Sequence, residues 1–333
     1  MPGILITVAG VAMVFSGGGA PAAYFGAGVV RAVEEAGLAP RIFSGVSAGA
    51  INAAALAVGL DAAGLATMWR GIRWSDVARW RTDVYRLPKV ENMLRGAPHL
   101  LDWALGSVGW TALLDNSPAR AALRERLGGP ELPIAHGRTL VVSAVDVRTG
   151  EVLRFGSRPA SRPDSAILPG RLTVEHLLAS AAVPVVFPPV EIGERLLVDA
   201  GTVANTPLAP VMDYEPDAVV VVSGSGGTRP APAPASLGET IGLLVDNLAH
   251  FALRADLEHA ATVNELARAG ATDRRDVPMV LVEPRRLAFS AGSFFRFTQA
   301  DADRIMGYGH ERGTEALATW MRAEVDGGFV DAP

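Results

Sequence analysis

The chain has no cysteine. That excludes disulfides, thiolate nucleophiles and cysteine-based metal sites. It leaves the compartment open, because reducing and oxidising environments both tolerate the absence. Lysine is almost missing as well. Lys89 is the single one, and arginine supplies the rest of the positive charge, which reads as coding bias. No charged side chain precedes Arg31. A secretory signal would carry Lys or Arg ahead of its apolar stretch, and none is there. A membrane span would need about twenty uninterrupted apolar residues. Gly10, the run Ser16-Gly17-Gly18-Gly19 and Pro21 interrupt this one. Buried strands at 4–9 and 11–15 fit better, since parallel strands covered on both faces read as continuous apolar runs. A cytoplasmic location is expected, with peripheral membrane contact as an added option. The net charge of −5 argues against a nucleic-acid partner, for which a basic stripe would be expected.

What is present reads as a globular α/β protein. Apolar residues make up 49% and charged residues 20% of 333, enough to bury a large core. Strand 11–15 runs into the glycines, and a helix over 22–36 ends at Gly37, a normal C′ glycine. A second strand at 41–44 turns into a small-residue helix over 50–60. Strand, turn and helix repeated is the βαβ pattern of a parallel sheet. Further strands are expected at 139–145, 195–198, 218–223 and 279–282, with covering helices at 237–269 and 301–323. The catalytic core is assigned to 11–223. A Gly/Pro-rich loop follows at 224–236, and 237–325 completes the same domain. Residues 61–130 form an insert of different character, with five of the six tryptophans (Trp69, Trp74, Trp80, Trp103, Trp110) among arginines. Its broken helical pattern favours a tryptophan-cored subdomain slightly over a lipid-facing cap.

Three local patterns carry chemistry. Gly45-Val46-Ser47-Ala48-Gly49 matches G-x-S-x-G between an expected strand and an expected helix. That tight turn exposes a serine Oγ in a strained conformation, and its glycines relieve collisions with neighbouring elements. In Gly17-Gly18-Gly19, consecutive backbone N–H groups can point into one cavity and hold a phosphate or a developing oxyanion. A dinucleotide fingerprint would also need an acidic residue ending the second strand. Glu34 and Glu35 fall inside a helix instead. The third pattern is Asp199, just past the apolar strand 195–198, at the edge where parallel sheets carry their sites; an Asx-turn is the bland reading. A serine needs a base. Of His99, His136, His176, His250, His259 and His310, none ends a confident strand.

Glycine run, G-x-S-x-G and strand-Asp-x-Gly in this order resemble the patatin-like phospholipases. Other stretches are similar to that family's habits. They are Gly28-Val29-Val30-Arg31-Ala32, Ala50-Ile51-Asn52-Ala53, Asp115-Asn116-Ser117-Pro118, Ala179-Ser180-Ala181-Ala182-Val183-Pro184 and Asn205-Thr206-Pro207. The likeness spans roughly 11–223. It implies a three-layer patatin-like fold, with a mainly parallel central sheet, helices on both faces and the Trp-rich helical insert. It also implies a Ser–Asp dyad without histidine: Ser47 as nucleophile, Asp199 as proton acceptor, and Gly17, Gly18 and Gly19 as oxyanion donors. Gly45, Gly49 and Gly201 support the motifs. The implied activity is acyl-ester hydrolysis of lipids, phospholipid or acylglycerol, through an acyl-serine and without metal or cofactor. Two positions depart from the pattern. Pro21 and Ala22 replace the usual basic residue and glycine, and Ala200 replaces the glycine after the Asp. Alanine at 200 is strained if a positive φ is needed there. Alternatives are an acyltransferase, a weakly active or non-catalytic lipid-binding relative, and an α/β-hydrolase triad closed by His310. Val46 before the serine, where carrier-type acyltransferases hold histidine, disfavours the first.

Overall fold

The computed structural model describes residues 10–81, 111–201, 203–224, 237–285 and 294–326. Apolar runs set the middle of the sheet. Strands β1 (Val11–Phe15) and β10 (Ala218–Val222) are buried at every position, as suits strands covered on both faces. Five strands form a parallel core in the order β11 (Met279–Val282), β10, β1, β2 (Ile42–Gly45) and β5 (Thr139–Asp146). From β1 the chain winds one way to β2 and β5, and later the other way to β10 and β11. The carboxyl end of β1 is therefore a topological switch point, where open α/β sheets bind ligands. The glycine run begins there.

Beyond β5 the sheet turns antiparallel. Both β6 (Val152–Gly156) and β9 (Arg195–Asp199) run antiparallel to β5. Next to β6 lies β7 (Ile167–Pro169), in parallel, and next to β9 lies β8 (Val190–Ile192), antiparallel. Periodicity alone does not reveal β6, β7 and β8, which are short and partly exposed.

Helices cover both faces. One layer holds α1 (Gly19–Glu35), α2 (Ala48–Val58), α6 (Val174–Ser180) and α9 (Gln299–Asp326), sharing a core with Met13, Phe15, Phe43, Leu140 and Val142. On the other face, Ala12, Val14, Ile42 and Val141 pack with Leu208, Val211 and Leu253 of α7 (Ala209–Met212), α8 (Leu237–Arg268) and the residue before α7. The alternation of Val14 with Phe15, and Val141 with Val142, is the period-two signature of a strand with two buried faces. The insert contains α3 (Ala62–Arg70), α4 (Trp74–Val77), a ribbon of β3 (Arg79–Trp80) and β4 (Leu114–Asp115), and α5 (Ser117–Arg126). Residues 82–110, with Trp103 and Trp110, lie outside the described residues, as do 4–9.

Helix α1 starts three residues earlier than the pattern suggests, directly at Gly19. Pro21 then stands in the first turn, where backbone N–H groups have no intrahelical acceptor and proline costs little. Among the tryptophans, Trp69 is buried edge-on against Tyr24 and donates to Asn52 Oδ1 at 2.7 Å. Trp80 is 63% exposed. The insert uses tryptophan both as core and as surface.

Candidate active site

Strand β5 sets the positions of the two candidate side chains. Along one edge it pairs first with β2, through Val142 and Gly45, and then with β9, through Ala144 and Asp199. Parallel to β5, β2 stops there and turns at Ser47. Antiparallel to it, β9 enters from beyond and ends on Asp199. The two strand ends meet on one edge. Ser47 and Asp199 both face one cleft there, and the Ser47 hydroxyl is among the groups that favour the ionised Asp199 carboxyl.

Ser47 sits at φ 56°, ψ −131°, a conformation that non-glycine residues rarely adopt. It is held there by close packing. A Cβ on Gly45 would collide with the backbone of Gly49, and one on Gly49 would stand 2.5 Å from the Phe15 carbonyl oxygen. The two glycines thus let β2, α2 and the end of β1 touch. The Ser47 N–H donates to both Oγ and the carbonyl oxygen of Ser180, at 3.0 and 3.1 Å. Strain maintained in this way is common where a side chain must face a ligand.

Asp199 is 5% exposed. Burial pushes its carboxyl up from 3.8 to about 6, against the opposing effects of hydrogen bonds from Gly201 N–H (2.7 Å) and the Ser47 hydroxyl. Its own N–H donates to the Ala182 carbonyl at 3.0 Å. Ala200 is fully buried and is not among the non-glycine residues with positive φ, which are Ser47, Val185 and Glu215 in the described chain. Alanine at 200 is therefore unstrained, contrary to the concern its sequence raises.

The glycine run is anchored from both sides. Ser16 N–H donates to Val222 O at 3.0 Å, and Gly224 N–H donates to Ser16 Oγ at 2.7 Å. Gly17 N–H donates to Asn205 O at 3.1 Å, so this amide is not free for an oxyanion. Those of Gly18 and Gly19 have no acceptor among the described residues. Gly18 (φ 139°) and Gly19 (φ 64°) lie in the left-handed half of the backbone map. A Cβ on Gly19 would also stand 2.6 Å from the Phe294 carbonyl oxygen. Gly19 opens α1, whose N-terminal dipole adds positive potential.

A cleft of about 310 Å³ opens on these groups. Gly17, Gly18, Gly19, Ser47, Asp199 and Gly201 line it together. Its other walls are mainly apolar, with Trp69, Ile72, Leu123, Val186, Phe187 and Phe295 prominent, alongside the polar Asp76, Asn116 and Asn205. A larger depression near Glu131, Arg158 and Arg171, about 460 Å³, is wide open and holds none of these groups. No described histidine lines this cleft. His176 Nδ1 accepts from the Thr173 N–H at the start of α6, and His310 Nε2 meets Glu35 at 2.6 Å. His99 lies outside the described residues.

The patatin-like phospholipase family model matches residues 13–212, more than half of the chain, including Gly17–Gly19, Ser47 and Asp199. This chain belongs to the patatin-like phospholipases. Among curated proteins, none matches it. Solved structures of similar fold include VipD from Legionella pneumophila, at 16% identity and a TM-score of 0.43, covering 93% of this chain and 66% of that one. Human GIVD cytosolic phospholipase A2 is another, at 15% identity and a TM-score of 0.45, covering 95% and 60%. This patatin-like chain thus spans less than two thirds of either protein's length.

Two residues of the site have roles that local sequence pattern does not disclose. Ser180 holds the Ser47 N–H, and Asn205 holds the Gly17 N–H. Both lie in stretches similar to the family's, yet each acts on a residue far away in the chain. Only the sheet register brings them together.

Proposed function

We propose that this protein hydrolyses lipid acyl esters through an acyl-serine formed on Ser47. The observation that carries the reading is that Ser47, at a strained turn, and the buried Asp199 line the same mainly apolar cleft. Asp199 accepts the hydroxyl proton as Ser47 Oγ adds to the ester carbonyl carbon. A carboxyl raised to about 6 is a stronger base than an ordinary carboxylate and is still ionised at neutral pH. The carbonyl oxygen takes up the electron pair and faces the Gly18 and Gly19 N–H groups at the start of α1. Collapse breaks the bond to the alcohol, which leaves with the proton from Asp199. Water then repeats the sequence on the acyl-serine, with Asp199 again as base. The apolar walls suit an acyl chain, which they would strip of water.

The test is labelling by a fluorophosphonate probe together with turnover of a short p-nitrophenyl acyl ester. Wild type should label and turn over, and Ser47→Ala should do neither while remaining folded. Unchanged turnover in Ser47→Ala would overturn the proposal. Single His→Ala variants should keep turnover, and an inactive one would point to a histidine-based triad.

A further inference from the structure

The cleft around Ser47 is short of positive charge. Among the described residues that line it there is no Arg, Lys or His, and its charged groups are Asp76 and Asp199. Arg126 is not part of that lining. It faces Asp76 at 3.7 Å and donates to the carbonyls of Gly71 and Ala122, both at 3.4 Å. No arginine figures among the influences on the Asp199 carboxyl, which are burial, the Gly201 N–H and the Ser47 hydroxyl. The Gly18 and Gly19 N–H groups serve the oxyanion in the reading above. A phosphate held in this cleft would lie among carboxylates with no cation to meet it, and a low dielectric strengthens that repulsion.

Uncharged polar groups, by contrast, are present. Asn205 lines the cleft beside Gly17 and Ser47. Helix α5 turns one side to it through Asn116, Ala119, Ala122 and Leu123, spaced as one helical face. Asn116 is the polar member of that face and is 6% exposed. It stands at the N-cap position, yet its side chain does not cap the helix. Asp115 instead accepts from the Ser117 N–H and hydroxyl, at 2.8 Å each. The Asn116 carboxamide has no hydrogen-bond partner among the described residues, although its backbone oxygen accepts from the Arg120 N–H at 3.1 Å. Buried carboxamides are nearly always hydrogen-bonded, so this one calls for a ligand. Just before α5, the Leu114 N–H donates to the Val186 carbonyl at 2.9 Å. The start of α5 is thus tied to the segment that follows Ser180, the residue holding the Ser47 N–H. From there Ala119, Ala122 and Leu123 continue the wall as an apolar track.

We propose that this cleft takes acyl esters of an uncharged, hydroxyl-bearing alcohol such as glycerol in preference to esters that carry a phosphate, and that Asn116 hydrogen-bonds an oxygen of that alcohol. This rests on the acyl-serine reading above and names the substrate class for it. A carboxamide offers both a donor and an acceptor, so it can serve a hydroxyl whichever way it is turned. Facing an alcohol with no second oxygen, it stays unsatisfied, and that difference discriminates between substrates. The acyl chain takes the apolar track, where burial of its CH₂ groups favours binding whatever the alcohol. The absence of a cation also suits the chemistry. A positive charge beside Asp199 would pull its carboxyl down and weaken it as a base.

The experiment measures octanoate release from octanoylglycerol, octanoylglycerol phosphate and ethyl octanoate, which share one acyl chain, with p-nitrophenyl octanoate as the general ester. Wild type should favour octanoylglycerol over its phosphate by about tenfold or more in kcat/KM, the effect of one uncompensated like charge near the site. Asn116→Ala should lower kcat/KM for octanoylglycerol about tenfold, as expected for one neutral hydrogen bond. It should lower that for ethyl octanoate by less, so that the preference between the two collapses. Asn116→Leu keeps the bulk of the side chain and should give the same collapse if the alanine variant does not fold. The wild-type comparison needs no variant. Equal or faster turnover of the phosphate ester overturns the proposal and leaves the hydrolase reading intact. So does an equal loss on octanoylglycerol and ethyl octanoate in the Asn116 variants, since packing alone would give that. Wild type as inert as Ser47→Ala on p-nitrophenyl octanoate overturns the hydrolase reading and this inference with it.

Discussion

Asp199→Asn separates chemistry from stability. The wild-type carboxyl moves from 3.8 to about 6 because burial disfavours its charge. Between those two values the folded protein holds the proton and the unfolded chain has released it. Stability therefore falls as pH rises through this window, since the slope follows the protons bound by the unfolded chain minus those bound by the folded one. The full cost is present above the folded value and amounts to about 3 kcal/mol. Below the unfolded value it vanishes. Asparagine keeps an oxygen that can accept from Gly201 N–H and from the Ser47 hydroxyl, and it removes the charge. The variant should be more stable than wild type at pH 8 by up to about 3 kcal/mol, with the gap closing toward pH 4. It should also lose ester turnover, since an amide cannot take the proton. Urea unfolding at pH 4 and pH 8 measures the first effect. The kcat/KM profile of wild type measures the second, and it should rise through about pH 6 as one group ionises. Equal stability of the two proteins at pH 8, or a gap that widens on acidification, would refute the reasoning.

Three other substitutions probe the backbone. Ser47→Gly and Ser47→Ala both remove the hydroxyl, but only glycine relieves φ 56°, ψ −131°. The glycine variant should unfold about 1–2 kcal/mol later than the alanine variant in urea, and equal midpoints would mean the turn is unstrained. Val185 has φ 71° and is 61% exposed. Val185→Gly should gain about 1 kcal/mol in the same assay, because little burial is lost and left-handed strain is removed. A lower midpoint would show that the valine side chain matters more than its backbone. In Gly19→Ala the new methyl must displace Phe294, so turnover should drop and stability should fall by about 1–3 kcal/mol. Wild-type behaviour in both measurements would contradict the close approach at Gly19.

The parts of the fold legible from sequence are those set by local pattern. The apolar runs of β1 and β10 and the glycines around Ser47 are explained by neighbours close in sequence or by burial on two faces. Pro21, a departure from the family pattern, falls where a helix start tolerates it. The direction of β9 was not legible. An apolar strand ending in Asp reads the same whether its neighbour is parallel or antiparallel, and only the pairing with β5 decides. For the same reason the worry about Ala200 does not survive, and the strain lies at Ser47 and Val185 instead. The amide count at Gly17–Gly19 was equally hidden. Which N–H is free depends on a carbonyl of Asn205, and no spacing rule connects the two residues.

The segment from Ser180 to Val186 ties several parts of the protein to one short length of chain. Ser180 grips the Ser47 N–H, and the Ala182 carbonyl accepts from the Asp199 N–H. Three and four residues on, the carbonyls of Val185 and Val186 accept from Leu113 and Leu114 in the insert. Val183, Pro184 and Val186 meanwhile form part of the cleft wall. The insert is thus hydrogen-bonded to the same segment that holds Ser47 and Asp199. A load applied to its ribbon, by a bound acyl chain or by a surface, acts on the serine and the aspartate through the same few peptide units. A substitution in the insert ribbon is therefore expected to reach Ser47 and Asp199 through this segment, and one in the segment to reach the ribbon.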